Sequence, residues 1–372
     1  MDYQNADLFR IAKRESNQKR EYLVVNRLQG KHIPVKPGQA LAMFRALAGR
    51  LPGCCEGERT LVIGFAETAT AIGAAVALER GCRYIQTTRE TIPGVEYLYF
   101  SEEHSHATQQ RLVKNDLDRI LPEIDQVVFA EDEVTTGNTI CNLIRVLEQA
   151  YPQQREYFVA SLLNGMDAQA LQLYNEKGIG VFYLVKTDHS GYTQAVQGYS
   201  RAGRYIDKET AEHTGCGNEP KAREWEIGGW LDARRLVQAD TYKQACIRLW
   251  KELEKCLDQK PEAKVLVLGT EEFMYPALFA AEQMEGCGAD VRFHATTRSP
   301  IAVFAEDAYP LHIRYELPGI YDAHRRTFLY DLAVYDAAVV ITDAHAKNRS
   351  GMDALLRALT PLVKNIDVIW WR

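Results

Sequence analysis

Residues Val127–Thr139 read VVFAEDEVTTGNT, and this stretch decides the fold. Val127, Val128, Phe129 and Ala130 form an uninterrupted apolar run, the mark of a strand buried on both faces of a parallel sheet. Glu131 and Asp132 end the run. Thr135, Thr136, Gly137, Asn138 and Thr139 then open a helical pattern in which Ile140, Leu143, Ile144 and Leu147 share one face. An apolar strand, an acidic end, a turn with glycine and an amphipathic helix make one strand-turn-helix unit. In sheets built from such units, ligands sit beyond the carboxyl ends of the strands.

Each part of the turn has a chemical use. Two adjacent carboxylates, Glu131 and Asp132, can accept hydrogen bonds from the two hydroxyls of a ribose and help hold magnesium. Backbone N–H groups at a helix N-terminus favour a phosphate, and the threonine hydroxyls add donors. Gly137 lets the backbone come close to that phosphate. The assembled site suits a ribose 5-phosphate.

Outward from this stretch the alternation continues. TLVIGF is an apolar run ending at a turn, ATAIGAAVALE an Ala-rich helix, RYIQTT a second strand, FVASLL and VFYLV two more, with a helix expected from Asp167 to Lys177. The expected fold is α/β, a Rossmann-like parallel sheet flanked by helices. From Ser200 to Leu231 the pattern gives way to polar, Gly-containing sequence, read as an interdomain connection. A second, smaller α/β domain follows, with a helix from Thr241 to Leu257 and strands at KVLVLG, DVRFHATT and AAVVITDA. The expected domains are residues 1–225 and 226–372. Gly64, Glu67 and Thr87-Thr88-Arg89 align by eye with Gly269, Glu272 and Thr296-Thr297-Arg298, which suggests a diverged repeat.

Composition narrows the functional classes. With 372 residues, the chain exceeds the size near ~250 residues at which a single core stops growing. A net charge of −6 leaves no basic excess for a long polyanion, so no nucleic-acid partner is expected. The N-terminal residues lack an apolar signal core and no run of ~18 apolar residues occurs, so a cytoplasmic protein without membrane contact is expected. Eight cysteines show no Cys-x-x-Cys pair, and reduced thiols are expected.

The order of four apolar residues, two acids, two variable residues and Thr-Thr-Gly-x-Thr resembles the signature of the type I phosphoribosyltransferases, which bind 5-phosphoribosyl 1-diphosphate. Thr135 stands where purine-salvage members carry an Asp, and is closer to the orotate-type members. The resemblance implies a diphosphate-binding loop at Gly64–Thr70, with Ala66, Glu67 and Thr68 as binding residues and magnesium at Asp132 and Glu131. It implies Arg89 as a ligand of the leaving diphosphate and a mobile hood loop around FSEEHSHATQQRL. His104 and His106 there are either phosphate contacts or exposed loop histidines. The hood that chooses the nucleophile falls at LVVNRLQGKHIPVKPGQAL, where Arg27, Lys31 and His32 form a cationic spot that either touches substrate or is a solvated surface loop.

Over nearly its full length the chain resembles a bacterial group associated with tellurite-resistance clusters, an orotate-type phosphoribosyltransferase followed by a TRSP domain. Thr297-Arg298-Ser299-Pro300 is the tetrapeptide that names the domain. The implied function is transfer of ribose 5-phosphate to a small nitrogenous acceptor, with glutamate and aspartate at 131 and 132 and Arg89 in catalysis, by a homodimer. A sensor that keeps the site without turnover is the rival reading. VVITDAHAKNRSG in the second domain has one acid, Asp343, and no Thr-Gly-x-Thr, so that domain is not expected to transfer phosphoribose alone. Its Arg298 and Ser299, and Lys347, Asn348 and Arg349, either bind an anion or belong to a packing domain.

Overall fold

The computed structural model describes residues 3–4, 8–15, 20–100, 110–207, 221–258, 261–345 and 349–372. The chain forms two compact units. The first comprises Met1–Asn5, Leu41–Asp188 and Leu231–Ala245; the second comprises Ala6–Ala40, His189–Trp230 and Cys246–Arg372. The division interleaves along the sequence, and segments on both sides of residue 225 enter the second unit.

The second unit begins with an antiparallel pair, β1 (Phe9–Lys13) and β2 (Tyr22–Asn26), and α1 (Pro37–Ala48) leads into the first unit. There β3 (Thr60–Gly64) is buried at every position, as expected of its unbroken apolar run. Helix α2 (Thr70–Arg80) follows and stops at Gly81, which is left-handed at φ 65°. Next come β4 (Arg83–Gln86), an antiparallel pair β5 (Tyr97–Phe100) and β6 (Gln110–Val113), and α3 (Lys114–Ile120). Strand β7 (Gln126–Val134) leads into α4 (Asn138–Ala150), whose buried residues are the expected Ile140, Leu143, Ile144 and Leu147. The run closes with β8 (Glu156–Asn164), α5 (Ala168–Glu176) and β9 (Gly180–Lys186).

The stretch from Ser200 to Leu231, read as a connection, instead supplies β10 (Arg204–Ile206) and β11 (Ala222–Ile227) to sheets of the second unit. After β12 (Val237–Gln238) and α6 (Ala239–Cys256) the chain continues with β13 (Lys264–Gly269), α7 (Tyr275–Gly286) and β14 (Asp290–Ala295). It ends with β15 (Ile313–Pro318), β16 (Arg326–Tyr330), β17 (Tyr335–Thr342), α8 (Arg349–Leu359) and β18 (Val363–Trp371).

In the first unit six strands lie in the order β12-β4-β3-β7-β8-β9, parallel except for β12. In the second, five parallel strands lie in the order β11-β18-β17-β13-β14. Four strands correspond in order, direction and sequence position: β4-β3-β7-β8 and β14-β13-β17-β18. The ends correspond too. Thr87 N–H donates to Gly64 O at 2.9 Å and Thr296 N–H to Gly269 O at 3.1 Å, while Thr88 bridges Arg111 of β6 and Thr297 bridges Phe328 of β16.

Side chains of β3 and β7 fill the middle of the first sheet, with Leu61, Val62, Ile63, Val127, Val128 and Phe129 all at 0% exposure. Each buried aliphatic or aromatic group of this kind contributes about 1.5–3 kcal/mol, so the strand ends beyond them are held on a rigid base. Asp116 of α3 pins the 231–245 segment to this unit. It accepts from Arg235 Nε at 2.6 Å, Arg235 Nη2 at 3.0 Å and Leu236 N–H at 3.1 Å.

Candidate functional site

Three turns of the first unit leave the carboxyl ends of neighbouring strands. Strand β3 stops at Gly64, opposite Ala130, whereas β7 runs on to Val134 paired with β8. Among the described residues no strand pairs with β7 beyond Ala130 on the side of β3. The turn after β3 carries Ala66, Glu67 and Thr68; the turn after β4 carries Thr88 and Arg89; the end of β7 carries Glu131 and Asp132.

The turn after β3 is held by buried polar groups. Ala66 N–H donates to Thr87 Oγ1 at 2.8 Å, and Gln110 Nε2 donates to Ala66 O at 2.9 Å. The Thr87 hydroxyl donates to Gln110 Oε1, closing a clasp around the backbone of one residue. Thr87 and Gln110 are both buried, so the clasp works away from competing water. The Ala66–Glu67 peptide is cis. Gly64 and Gly73 let strand and helix touch, because a Cβ on Gly73 would stand 2.7 Å from Gly64 Cα. Tyr84 fixes the start of α2 by donating to Thr70 O at 2.7 Å.

Asp132 faces this turn, where its carboxylate accepts a hydrogen bond from Thr68. Its pKa is raised to about 6, by burial first and then by the neighbouring Glu133, while the Thr68 bond opposes both. Alternation along an extended strand turns Glu131 and Glu133 to the other face. Such a carboxylate gains from a nearby cation. The oxygen donors suit magnesium, which is commonly held by one or two carboxylates together with substrate phosphates rather than by a full protein cage. Among the described residues no group of three or more His, Cys, Asp or Glu side chains could hold a metal alone. The donor set thus fits a magnesium ion shared with a phosphorylated ligand.

The turn after β7 is shaped by Gly137, left-handed at φ 79°, where a Cβ would stand 2.4 Å from the Tyr174 hydroxyl. Tyr174 of α5 donates to Gly137 O at 2.6 Å, and Cys141 N–H donates to the same carbonyl at 3.0 Å. Asn138 N–H donates to Thr136 Oγ1 at 3.3 Å. Thr136 and Asn138 are exposed and Thr135 and Thr139 half-buried, so hydroxyls and first-turn amides of α4 are within reach of a ligand.

Arg89 is half-buried, and its carbonyl accepts from Arg111 Nη2 at 2.9 Å, which fixes the backbone after β4. The sequence therefore named residues of all three turns. It missed Thr87 as a support, Gln110 and Tyr174; the pairing of Thr87 with Thr296 in the repeat was the one local signal for the clasp. Lys31 and His32 are neither a surface loop nor a solvated spot: both are buried in the second unit, and Lys31 Nζ donates to the carbonyls of Glu271 at 2.7 Å and Thr296 at 2.9 Å. Arg298 is clamped by carboxylates, with Nε 2.8 Å from Glu271 Oε2 and Nη2 3.1 Å from Glu272 Oε1. Arg349 is held by both oxygens of Glu224. His104, His106, Lys347 and Asn348 lie outside the described residues. Burial pushes the Cys55 and Cys82 thiols up to about 12, so both stay protonated at neutral pH.

No helix among the described residues is long and apolar enough to cross a membrane. A comparison with curated proteins finds no match. Among solved structures, the chain is similar to adenine phosphoribosyltransferase from Rhodothermus marinus DSM 4252, at 16% identity over 49% of this chain and 96% of that one, with a TM-score of 0.33. It is also similar to adenine phosphoribosyl transferase from Trypanosoma brucei, at 12% identity over 49% and 77% with a TM-score of 0.33. Orotate phosphoribosyltransferase from Aeropyrum pernix matches at 16% identity over 51% and 94%, with a TM-score of 0.31. The family profile described as phosphoribosyl transferase matches residues 8–185, and that of the TRSP domain C-terminal to this transferase matches residues 234–359. The chain is accordingly a member of the phosphoribosyl transferase family that carries a TRSP domain after its transferase part.

Proposed function

We propose that the first unit transfers ribose 5-phosphate from 5-phosphoribosyl 1-diphosphate to a small nitrogenous acceptor, with magnesium. The observation that carries this reading is the meeting of three turns at the carboxyl ends of neighbouring strands: the clasped Ala66 turn, Arg89 after β4, and the Asp132 to Thr139 turn after β7. The bond from C1 of the ribose to a diphosphate oxygen breaks, and a bond from C1 to the acceptor nitrogen forms. Positive charge grows on the ribose as the diphosphate leaves. Carboxylates beside the ribose and cations beside the leaving group therefore lower the barrier by electrostatics already in place.

Thr135, Thr136, Gly137, Asn138 and Thr139 hold the 5-phosphate through first-turn amides and hydroxyls. This remote anchor orients C1 and gives binding energy that can be used at the reacting centre. Asp132, supported by Thr68, accepts from the ribose hydroxyls; Glu131, on the other face of β7, does not share that contact. The Ala66, Glu67 and Thr68 turn receives the leaving diphosphate, and Arg89 donates to its oxygens. Magnesium, held by Asp132 together with the phosphate oxygens, would supply charge neutralisation for the diphosphate.

Calorimetric titration with 5-phosphoribosyl 1-diphosphate, with and without magnesium, tests the reading. Binding is expected to need magnesium and to weaken at least about tenfold in Asp132→Asn, the scale of one charge-assisted contact of about 1.5–3 kcal/mol. Absence of binding at millimolar ligand would rule the reading out.

A further inference from the structure

The second unit repeats the first turn by turn, and its differences fall where the first unit would touch its ligand. Gly269 ends β13 as Gly64 ends β3, so Thr270, Glu271 and Glu272 take the places of Phe65, Ala66 and Glu67. The clasp is kept. Glu271 N–H donates to Thr296 Oγ1 at 2.9 Å, as Ala66 does to Thr87, and Lys31 Nζ donates to the Glu271 carbonyl at 2.7 Å, as Gln110 does to that of Ala66. Register carries the match further. Leu268 pairs with Val340 as Ile63 pairs with Phe129, which puts Asp343 in the place of Asp132 and Arg298 in the place of Arg89.

What differs is what fills the space between these groups. At the place of a small alanine the second unit has Glu271, at 0% exposure. Its Oε2 accepts from Arg298 Nε at 2.8 Å and from Arg325 Nη1 at 2.7 Å. Arg325 and Tyr321 both come from the turn between β15 and β16. The Tyr321 hydroxyl donates to Asp343 Oδ1 at 2.5 Å and lies 2.8 Å from the Thr270 hydroxyl. A carboxylate thus sits against the arginine whose counterpart in the first unit, Arg89, would serve a diphosphate. A phenol hydroxyl sits on the carboxylate whose counterpart would serve a ribose.

We infer that the second unit is a self-occupied copy of the transferase fold, in which Glu271 fills the diphosphate place and Tyr321 a ribose-hydroxyl place. The chain then holds one phosphoribosyl diphosphate site, with a latent diphosphate site in the second unit behind Glu271. The assignment of ligand groups rests on the function proposed for the first unit. An anion entering the second unit would find Arg298 and Arg325 already neutralised by the buried carboxylate that both hold.

The test counts inorganic diphosphate bound to the full chain by equilibrium dialysis in excess magnesium. The native chain is expected to bind one equivalent. Glu271→Ala gives the second unit the alanine of the first and is expected to bind one more, with at least a tenfold gain in affinity at the new site. Should that variant fail to fold, Glu271→Gln, which keeps the shape and removes the charge, is read in the same way. A native count of two overturns the inference, and so does a folded variant, by circular dichroism, that gains nothing. A native count of zero removes the reading of the first unit, while a gain of one equivalent in the variant would still sustain this inference.

Discussion

Gly137 answers two demands. Its φ of 79° is costly for any residue with a side chain, and the space where a Cβ would go is taken by Tyr174, whose hydroxyl holds the Gly137 carbonyl. Replacement by alanine costs about 1 kcal/mol for the backbone and more for displacing a buried tyrosine, so a loss of roughly 2–3 kcal/mol is expected for Gly137→Ala. Urea unfolding measures it. Tyr174→Phe removes one hydrogen bond, is expected to cost about 1 kcal/mol, and leaves the turn able to close around a phosphate. Comparing the two variants in the diphosphoribose titration separates the shape of the turn from its support. The sequence pointed to Gly137 as a place of close approach, since a glycine before a helix has few other uses. It gave no sign of Tyr174, 37 residues further on, because a contact made in space leaves no spacing to read.

At the scale of the element, the Ala66 turn is positioned by groups that do not belong to it. Thr87 and Gln110 bind the N–H and the carbonyl of Ala66, and their loss would let the turn relax without emptying the core. Gln110→Leu and Thr87→Val are each expected to raise KM for 5-phosphoribosyl 1-diphosphate up to about tenfold, the scale of one buried hydrogen bond of about 0.5–1.5 kcal/mol. Thr87→Ser, which keeps the acceptor, should restore the native value in steady-state kinetics. The strands that carry these turns were legible for a physical reason. Those in the middle of a parallel sheet, such as TLVIG and VVFA, are apolar on both faces and stand out from their surroundings. Edge strand β11 was not legible. Its residues AREWEI are exposed or half-buried up to Ile227 and read as polar linker until β18 is seen beside it. The segment before residue 40 was hidden for a similar reason, since its backbone partners lie near residues 293 to 302.

For the whole molecule, acid should act on the second unit through His294. The ring has 0% exposure, between the carbonyls of Gly30 and Tyr330 at 3.3 and 3.1 Å. Its pKa is lowered to about 4, chiefly by burial, with the Gly30 and Tyr330 carbonyls opposing and Lys31 adding to the fall. Below pH 6.5 the unfolded chain takes up a proton that the folded chain refuses. The stability of this unit is therefore complete above pH 6.5 and falls as pH drops toward 4, by on the order of 3 kcal/mol. All five tryptophans lie in the second unit, so their fluorescence in urea at pH 7, 5.5 and 4.5 follows that unit, and His294→Gln should flatten the dependence.

The exchange of segments has a consequence for how the chain is made. Lys31 leaves the ribosome 240 residues before Glu271, the residue whose carbonyl it binds. At about 5–20 residues per second this is a wait of roughly ten to fifty seconds, during which the β1-β2 pair and Lys31 lack the rest of their unit while the first sheet is being completed. A nascent chain of this design is exposed to proteases and to chaperones at its oldest end, and the arrival of residues 271 to 302 is what ends the exposure.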